Sequence, residues 1–503
     1  MISEKNLEII FVIFLLVLGI YYIYLASGTQ MLGEDETYYY SMAKDLSKGT
    51  FSTHDPRGGP QPSIFLTSMI SSLFFIILGP SLGILKAVSA FFGLLTIFFV
   101  YLIGKKFNIY YGFFSAFLLF SIQMFSQFMM IAYVEIPIAF FSILLIYLFF
   151  TMNTFKRAIF TGIILGFAYY TKTSALVLAV TLLLFALFRL FLTKDKKYFK
   201  LMLITLVVFG ALLLPLVIRN LILFKYPYVE GLDIFFTLPS GYEWPKWLRE
   251  TLKTVSPVRP SLQTYTSTFG WVSLILGIFG ISWLGSNWKN NNENNFILLQ
   301  LLPFLIFIII FNLVYITGQT PLEPRYLSII FPQLAMLGGL FLWKMKEWNK
   351  WLLFLIIPIL FFSLYSGVTS AIGTYNSQRY PDDYIAALKW IKTDTPEDSW
   401  IFTTYGGSLK YFGERDNKWA GDIGESFPDV MTTTNGTFIY DTLKKYNVSY
   451  ILIWRNTVAQ NYIIPESNIW GVFTYNFVNV VINDKDNFNI TFSNQDNVIL
   501  KLK

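Results

Sequence analysis

Gly33-Glu34-Asp35-Glu36-Thr37-Tyr38-Tyr39-Tyr40 sets three consecutive carboxylates beside three tyrosines, just beyond an apolar run (7–26) long enough to cross a bilayer. An enzyme acting on a membrane-borne substrate keeps its base at such a boundary. Repulsion within a carboxylate cluster tends to raise the pKa of at least one member and poise it to take a proton. A solvated acidic turn has the same composition, so the cluster gains meaning from the other ionisable residues at its level. Once the apolar runs are ordered as below, Glu34, Asp35, Glu36, His54, Arg57, Glu135, Lys172, Arg219, Asn220, Glu230, Asp233, Glu323 and Arg325 all fall at outer helix ends or in outer loops. Cations there suit a phosphate, carboxylates suit acid/base work, and Tyr38, Tyr39, Tyr40, Tyr169 and Tyr170 could stack on sugar rings. Singly, Lys172 or Arg219 could simply snorkel to headgroups. Together, an outer cavity lined by both signs of charge is the default inference.

The elements that must position these residues are membrane helices. With 54% hydrophobic and 19% aromatic residues, and Leu/Ile/Phe runs recurring over roughly the first 370 positions, the fold class is a polytopic α-helical membrane protein. The net charge of +7 would suit nucleic acid, but the Lys and Arg sit in short loops between apolar runs, the positive-inside pattern; no nucleic-acid partner is expected. No cysteine is present, which excludes a disulfide framework, a thiolate metal site and a Cys nucleophile. The first helix is too long, and lacks the small-residue cleavage site, for a removed signal peptide. Segment 63–78 is apolar enough to span, but spanning would put Lys105-Lys106, Lys156-Arg157 and 194–197 outside; it is therefore expected to lie on the outer face as an interfacial or re-entrant helix. Spans are then predicted at 7–26, 84–104, 109–128, 136–153, 158–171, 174–193, 200–222, 268–286, 296–316, 326–343 and 351–372, about eleven in all. The N-terminus falls in the cytoplasm of a multi-pass cell-membrane protein, with loop 27–83 and the C-terminal end outside.

Two domains are expected: 1–373, transmembrane and catalytic, and 374–503, extracytoplasmic and soluble. The second has apolar runs of only four to six residues among polar stretches. Helices are predicted at 382–393 and 437–446, buried strands at 400–404 and 450–454, and β-hairpins over 473–502, a small α/β layer. It holds the N-x-S/T sequons at Asn435, Asn447 and Asn489, consistent with an outer location.

Asp35-Glu36-Thr37-x-Tyr39-x-x-x-Ala43 resembles the Asp-Glu loop of the GT-C superfamily of polyprenyl-phosphate-sugar glycosyltransferases, nearest to the protein O-mannosyltransferases and the bacterial aminoarabinose-to-lipid A transferases. The resemblance continues through His54-Asp55-Pro56, Glu135-Ile136-Pro137, Gly166-Phe167-Ala168-Tyr169-Tyr170-Thr171-Lys172, Arg219-Asn220 with Pro227, and Pro324-Arg325-Tyr326 with Pro332, covering most of the membrane half. It implies that Asp35 is the general base, with Glu36 beside it shaping its pKa, and that Glu135 is a second catalytic acid where the family usually has aspartate. Lys172 and Arg325 would hold the donor phosphate, with Arg219. Asp55 replaces the family's Lys or Pro after His54, and Arg57 is expected to supply the missing cation; His54, Tyr39 and Tyr170 are expected against substrate. Residues 387–407 resemble the start of the soluble domain of archaeal oligosaccharyltransferases, but Phe402-Thr403-Thr404-Tyr405-Gly406 stands where those carry Trp-Trp-Asp-Tyr-Gly. Sequon recognition is therefore not expected.

The expected activity is inverting transfer of a sugar from a polyprenyl (dolichyl) phosphate to a hydroxyl of a lipid-linked glycan, protein or membrane lipid. The leaving group is a phosphate held by fixed cations, so no cofactor is required, although Asp35 and Glu36 are hard oxygen ligands that could recruit Mg²⁺ or Mn²⁺. The rival classes are a polyprenyl-linked sugar flippase or transporter and a glycan-binding membrane protein. A transporter should show an internal repeat and polar residues near mid-bilayer; here there is no repeat, and the charges crowd one face.

Overall fold

Helices dominate because a chain crossing hydrocarbon must satisfy its backbone groups internally. The computed structural model describes residues 4–29, 34–50, 65–194, 196–224, 262–286, 298–299, 301–303, 305–306, 308–309, 324–377, 380–403, 408–418, 426–455, 458–459 and 473–503. Among them, α1 (Glu4–Gly28) is followed by a polar helix, α2 (Glu34–Ser47), and a short apolar one, α3 (Leu66–Leu78). Next come α4 (Leu82–Lys105), α5 (Ile109–Ser121), α6 (Gln123–Met129), α7 (Glu135–Phe150), α8 (Phe155–Thr171), α9 (Ala175–Thr193) and α10 (Lys196–Phe224). After α11 (Leu262–Phe269) and α12 (Trp271–Ser286), a 3₁₀ turn (Pro324–Ile330) leads into α13 (Phe331–Trp348), and α14 (Leu353–Ser377) completes the bundle. Large apolar side chains stay exposed along α1 (Ile13, Leu16, Ile20), α10 (Val207, Ile222) and α14 (Phe354, Phe361, Phe362). Such continuous apolar surface is what lipid covers. This is a multi-pass membrane protein.

Five of the described helices are long and apolar enough to cross a membrane, or six if the bent pair α5–α6 counts as one span. That differs from the predicted eleven. Helices α7, α9 and α12 are apolar but shorter than the criterion, and most of the predicted span 296–316 lies outside the described residues. The predicted single span 109–128 is broken: α5 and α6 meet at 77°, and Ile122 between them is extended (φ −76°, ψ 101°). Neighbouring segments approach the end of α5 closely. Gly270, at φ +75°, comes so near that a Cβ on it would lie 2.7 Å from the Ser121 carbonyl, and a Cβ on Gly367 would lie 2.5 Å from the Phe120 carbonyl. The redirected chain then runs through 130–134 across the top of α4. Helix α3, of 13 residues, would reach only about 20 Å, short of the roughly 30 Å hydrocarbon core. It packs between α2 and α4, with Leu73, Ile76, Ile77 and Leu78 exposed.

The C-terminal segment begins with α15 (Asp382–Asp394) and builds a sheet from β1 (Trp400–Phe402), β2 (Asp416–Lys418), β3 (Val448–Trp454), β6 (Phe488–Ser493) and β7 (Asn497–Leu502). Their order is β2-β1-β3-β7-β6, with β1 parallel to β2 and β3 and the β3–β7–β6 part antiparallel. A short strand pair, β4 (Val458–Ala459) with β5 (Phe473–Thr474), lies apart. Helices α16 (Phe427–Thr432), α17 (Gly436–Lys445) and α18 (Tyr475–Asn483) cover one face through Val430, Ile439, Leu443, Phe477 and Val481. Helix α18 falls where β-hairpins were expected. Phe477 and Val481 are four apart and both buried, and the Thr474 hydroxyl caps the Phe477 N–H at 3.1 Å; helical spacing and an N-cap prevail over strand propensity. The β6–β7 hairpin that follows is as expected.

Candidate functional site

Four charged side chains from four distant elements converge at one end of the bundle. Asp35 lies in the first turn of α2, Glu135 is the first residue of α7, Lys172 follows the last residue of α8, and Arg325 lies in the 3₁₀ turn before α13. Arg325 Nη1 donates to Asp35 Oδ2 at 2.5 Å, and its Nε lies 3.8 Å from Glu135 Oε1. Lys172 Nζ donates to the same Glu135 oxygen at 2.6 Å. The result is a chain of alternating charge, Asp35–Arg325–Glu135–Lys172, with no net charge. Glu135 is nearly fully buried, and its Oε2 has no hydrogen-bond partner among the described residues. The α7 N-terminus beneath it favours an anion there.

Two rings frame the cations. The Arg325 guanidinium lies 5.0 Å from the Tyr133 ring centroid, and Lys172 Nζ lies 4.5 Å from that of Tyr326. Both are cation–π distances. Burial, with the charges of Glu36 and Asp35 adding to it, pushes the Tyr133 phenol well above its ordinary pKa, so it stays a neutral hydroxyl. Tyr133 reaches this place because the α5–α6 break carries 130–134 over α4.

Glu36, adjacent to Asp35, points elsewhere. It is fully buried, its Oε1 accepts the Ala132 N–H at 2.7 Å, and Lys86 Nζ of α4 is 3.5 Å away. Its side chain therefore leaves α2 toward α4, because successive residues on a helix leave the axis about 100° apart. The same divergence is a poor fit to one Mg²⁺ or Mn²⁺ held by Asp35 and Glu36 together. Among the described residues no three Asp, Glu or His side chains gather as a metal site.

The other expected site residues are placed as follows. His54 and Arg57 lie outside the described residues. Arg219, on α10, donates through Nη1 to Asn220 Oδ1 at 2.8 Å. Tyr39 is buried edge-to-face against Tyr38 and Phe65, with its carbonyl accepting from the Ser68 hydroxyl of α3 at 3.0 Å; its ring is part of the α2–α3 contact and is not open for a sugar to stack on. The Tyr170 hydroxyl donates to the Leu212 carbonyl at 2.8 Å, tying α8 to α10. Lys86, Tyr133 and Tyr326 were missed. Lys86 had a usable signal, an ionisable residue inside an apolar run, whereas the two tyrosines become notable only through what they touch.

The fold that holds this site resembles those of solved oligosaccharyltransferase and ArnT structures. Residues 61–214, from just before α3 to near the end of α10, match the family described as dolichyl-phosphate-mannose-protein mannosyltransferase. Among solved structures, the chain is similar to the archaeal oligosaccharyltransferase AglB from Archaeoglobus fulgidus in complex with an inhibitory peptide and a dolichol-phosphate. That likeness has 14% identity and a TM-score of 0.62, covering 88% of this chain and 70% of that one. A second structure of the A. fulgidus enzyme, with Zn and sulfate, has 16% identity and a TM-score of 0.63, covering 85% of this chain and 65% of that one. ArnT from Cupriavidus metallidurans, bound to undecaprenyl phosphate, has 12% identity and a TM-score of 0.64, covering 97% of each chain. No curated protein matches in sequence.

Proposed function

We propose that this protein transfers a sugar from a polyprenyl-phosphate carrier to a hydroxyl acceptor on the outer face of the cell membrane, with inversion at the anomeric carbon. The observation that carries the proposal is the Asp35–Arg325–Glu135–Lys172 constellation. The acceptor oxygen attacks the anomeric carbon as its proton passes to the Asp35 carboxylate, and the bond from that carbon to the phosphate oxygen breaks. The phosphate leaves as a monoester anion held by Lys172 and Arg325. As the phosphate engages Arg325, it takes over that guanidinium from Asp35 and frees the carboxylate to act as base. Fixed cations aimed at developing charge are the means by which such a step is accelerated, and in this reading no cofactor is required. The carriers in the two similar enzyme complexes are dolichol-phosphate and undecaprenyl phosphate, which supports a donor of that type. The matched family's description supports mannose as the first sugar to try, and the acceptor is a glycan, protein or lipid hydroxyl.

The same reading includes eleven spans, a cytoplasmic N-terminus, and an extracytoplasmic α/β domain over 374–503. It is supported by charge: Lys172 and Arg325 sit at one end of their helices, whereas Arg157 and Lys344 mark the other ends of α8 and α13. The test is release of polyprenyl phosphate from polyprenyl-phosphate sugars by the protein in lipid nanodiscs. Asp35→Asn should lower the rate by about 10²–10⁴, the range for loss of a general base, with the protein folded and carrier still bound. Wild-type turnover in that variant would sink the assignment.

A further inference from the structure

Glu36 and Lys86 pair with neither side chain exposed to solvent. Lysine is almost never fully buried without a partner. On the same face of α4, one turn from Lys86, the Ser89 hydroxyl donates to the Phe128 carbonyl at 3.2 Å, while the Ala132 N–H meets Glu36. Helix α4 therefore grips both the first turn of α2 and the 128–133 stretch that carries Tyr133. Asp35 and Glu36 are chemically alike and adjacent, and their side chains diverge by about 100°. Only one of them can face Arg325, and a rotation of α2 by one residue would exchange them. A buried ammonium removes this degeneracy, since an uncompensated buried charge is costly on either partner. Fixing register is the best-attested use of a buried polar pair.

We propose that Lys86 is a positioning residue: by holding Glu36 it fixes the rotation of α2, so that Asp35 is the carboxylate presented to Arg325 and to the reacting hydroxyl. This rests on Asp35 as the base. The experiment compares Lys86→Met, Lys86→Arg and Glu36→Gln/Lys86→Met with the parent, full-length and in nanodiscs. It reads turnover, undecaprenyl phosphate binding and, because the chain has no cysteine, the yield of a short bis-thiol cross-link between Asp35→Cys and Arg325→Cys in each background. Lys86→Met should cost roughly ten- to hundredfold in turnover, the scale of a misplaced catalytic group, with carrier affinity retained and cross-linking reduced severalfold. Lys86→Arg should keep most of both. If Lys86→Met does not fold, the neutral double variant decides; it should fold and show the same loss of turnover and cross-linking.

Parent-like cross-linking in the folded variants, with or without a loss of turnover, overturns the proposal, as does a loss of carrier affinity in step with turnover. Cross-linking reads geometry whichever residue is the base. Normal turnover in Asp35→Asn together with cross-link loss in Lys86→Met would therefore reject the base and leave the lock standing.

Discussion

Arg325 is held between two carboxylates, and Glu135 between two cations, so each charged residue of the site keeps the next one oriented. Buried charges persist only when paired in this way, and the pairing also keeps Lys172 and Arg325 within reach of one oxygen, Glu135 Oε1. If both hold the donor phosphate, each contact is worth about 1.5–3 kcal/mol. Lys172→Ala and Arg325→Ala should therefore each weaken binding of a non-hydrolysable polyprenyl-phosphate analogue by roughly ten- to hundredfold. Because the two share a partner, the double variant should lose less than the product of the single losses. Titrating the analogue against all three variants checks this; unchanged affinity in both singles rejects the phosphate site, and strict additivity means the two cations act in separate places.

Among the elements, α4 and α5 meet at paired glycines. A Cβ on Gly104 would come within 2.5 Å of the Gly112 Cα, and one on Gly112 would strike the Tyr101 carbonyl. Small residues let membrane helices pack backbone to backbone, and here that contact seats the helix carrying Lys86 against the one whose broken end launches 130–134. Gly112→Ala forces the pair apart at a cost of about 1–3 kcal/mol, typical of overpacking. Gly210 of α10 has nothing within 4 Å of its Cβ position, so Gly210→Ala gains roughly 0.5–1 kcal/mol of helix propensity instead. Thermal unfolding in detergent should move in opposite directions for the two variants, downward for the first; a shared direction would mean that packing at Gly112 does not govern stability.

At the scale of the whole molecule, charge sorts the bundle into two ends. Lys105 pairs with Glu8, Lys106 donates to the Tyr147 hydroxyl, and Lys346 lies over the Tyr110 ring, all at the ends of α4, α7 and α13 opposite the site. On the site end, the Tyr411 ring from the C-terminal segment packs 4.9 Å from Tyr40 of α2, joining the sheet-bearing segment to the helix that bears Asp35. In the absence of native cysteines, single introduced thiols report sidedness cleanly. Asn489→Cys, exposed on β6, should react with an impermeant maleimide in intact cells, and Lys350→Cys, exposed beyond α13, only after permeabilisation. The reverse labelling would overturn the orientation.

The sequence by itself determined that the long apolar segments are helical, because Leu/Ile/Phe runs leave the backbone no other way to satisfy itself in lipid. Run length and helix-end position also told which charges share a level: Asp35, Glu135, Lys172 and Arg325 were all legible as residues of one membrane end. In the C-terminal segment, short apolar runs between turns marked β1, β3, α15 and α17. Level along the membrane normal follows from counting residues, but lateral position does not. Only the tertiary structure decided that Arg325 meets Asp35 and that Glu36 turns inward to Lys86. The break at Ile122 was equally illegible, since it lies where Gly270, just before α12, and Gly367 of α14 approach the end of α5, residues far away in the chain. Those contacts bring Tyr133 and the Ala132 N–H to the site, and they exist only once separate helices have packed.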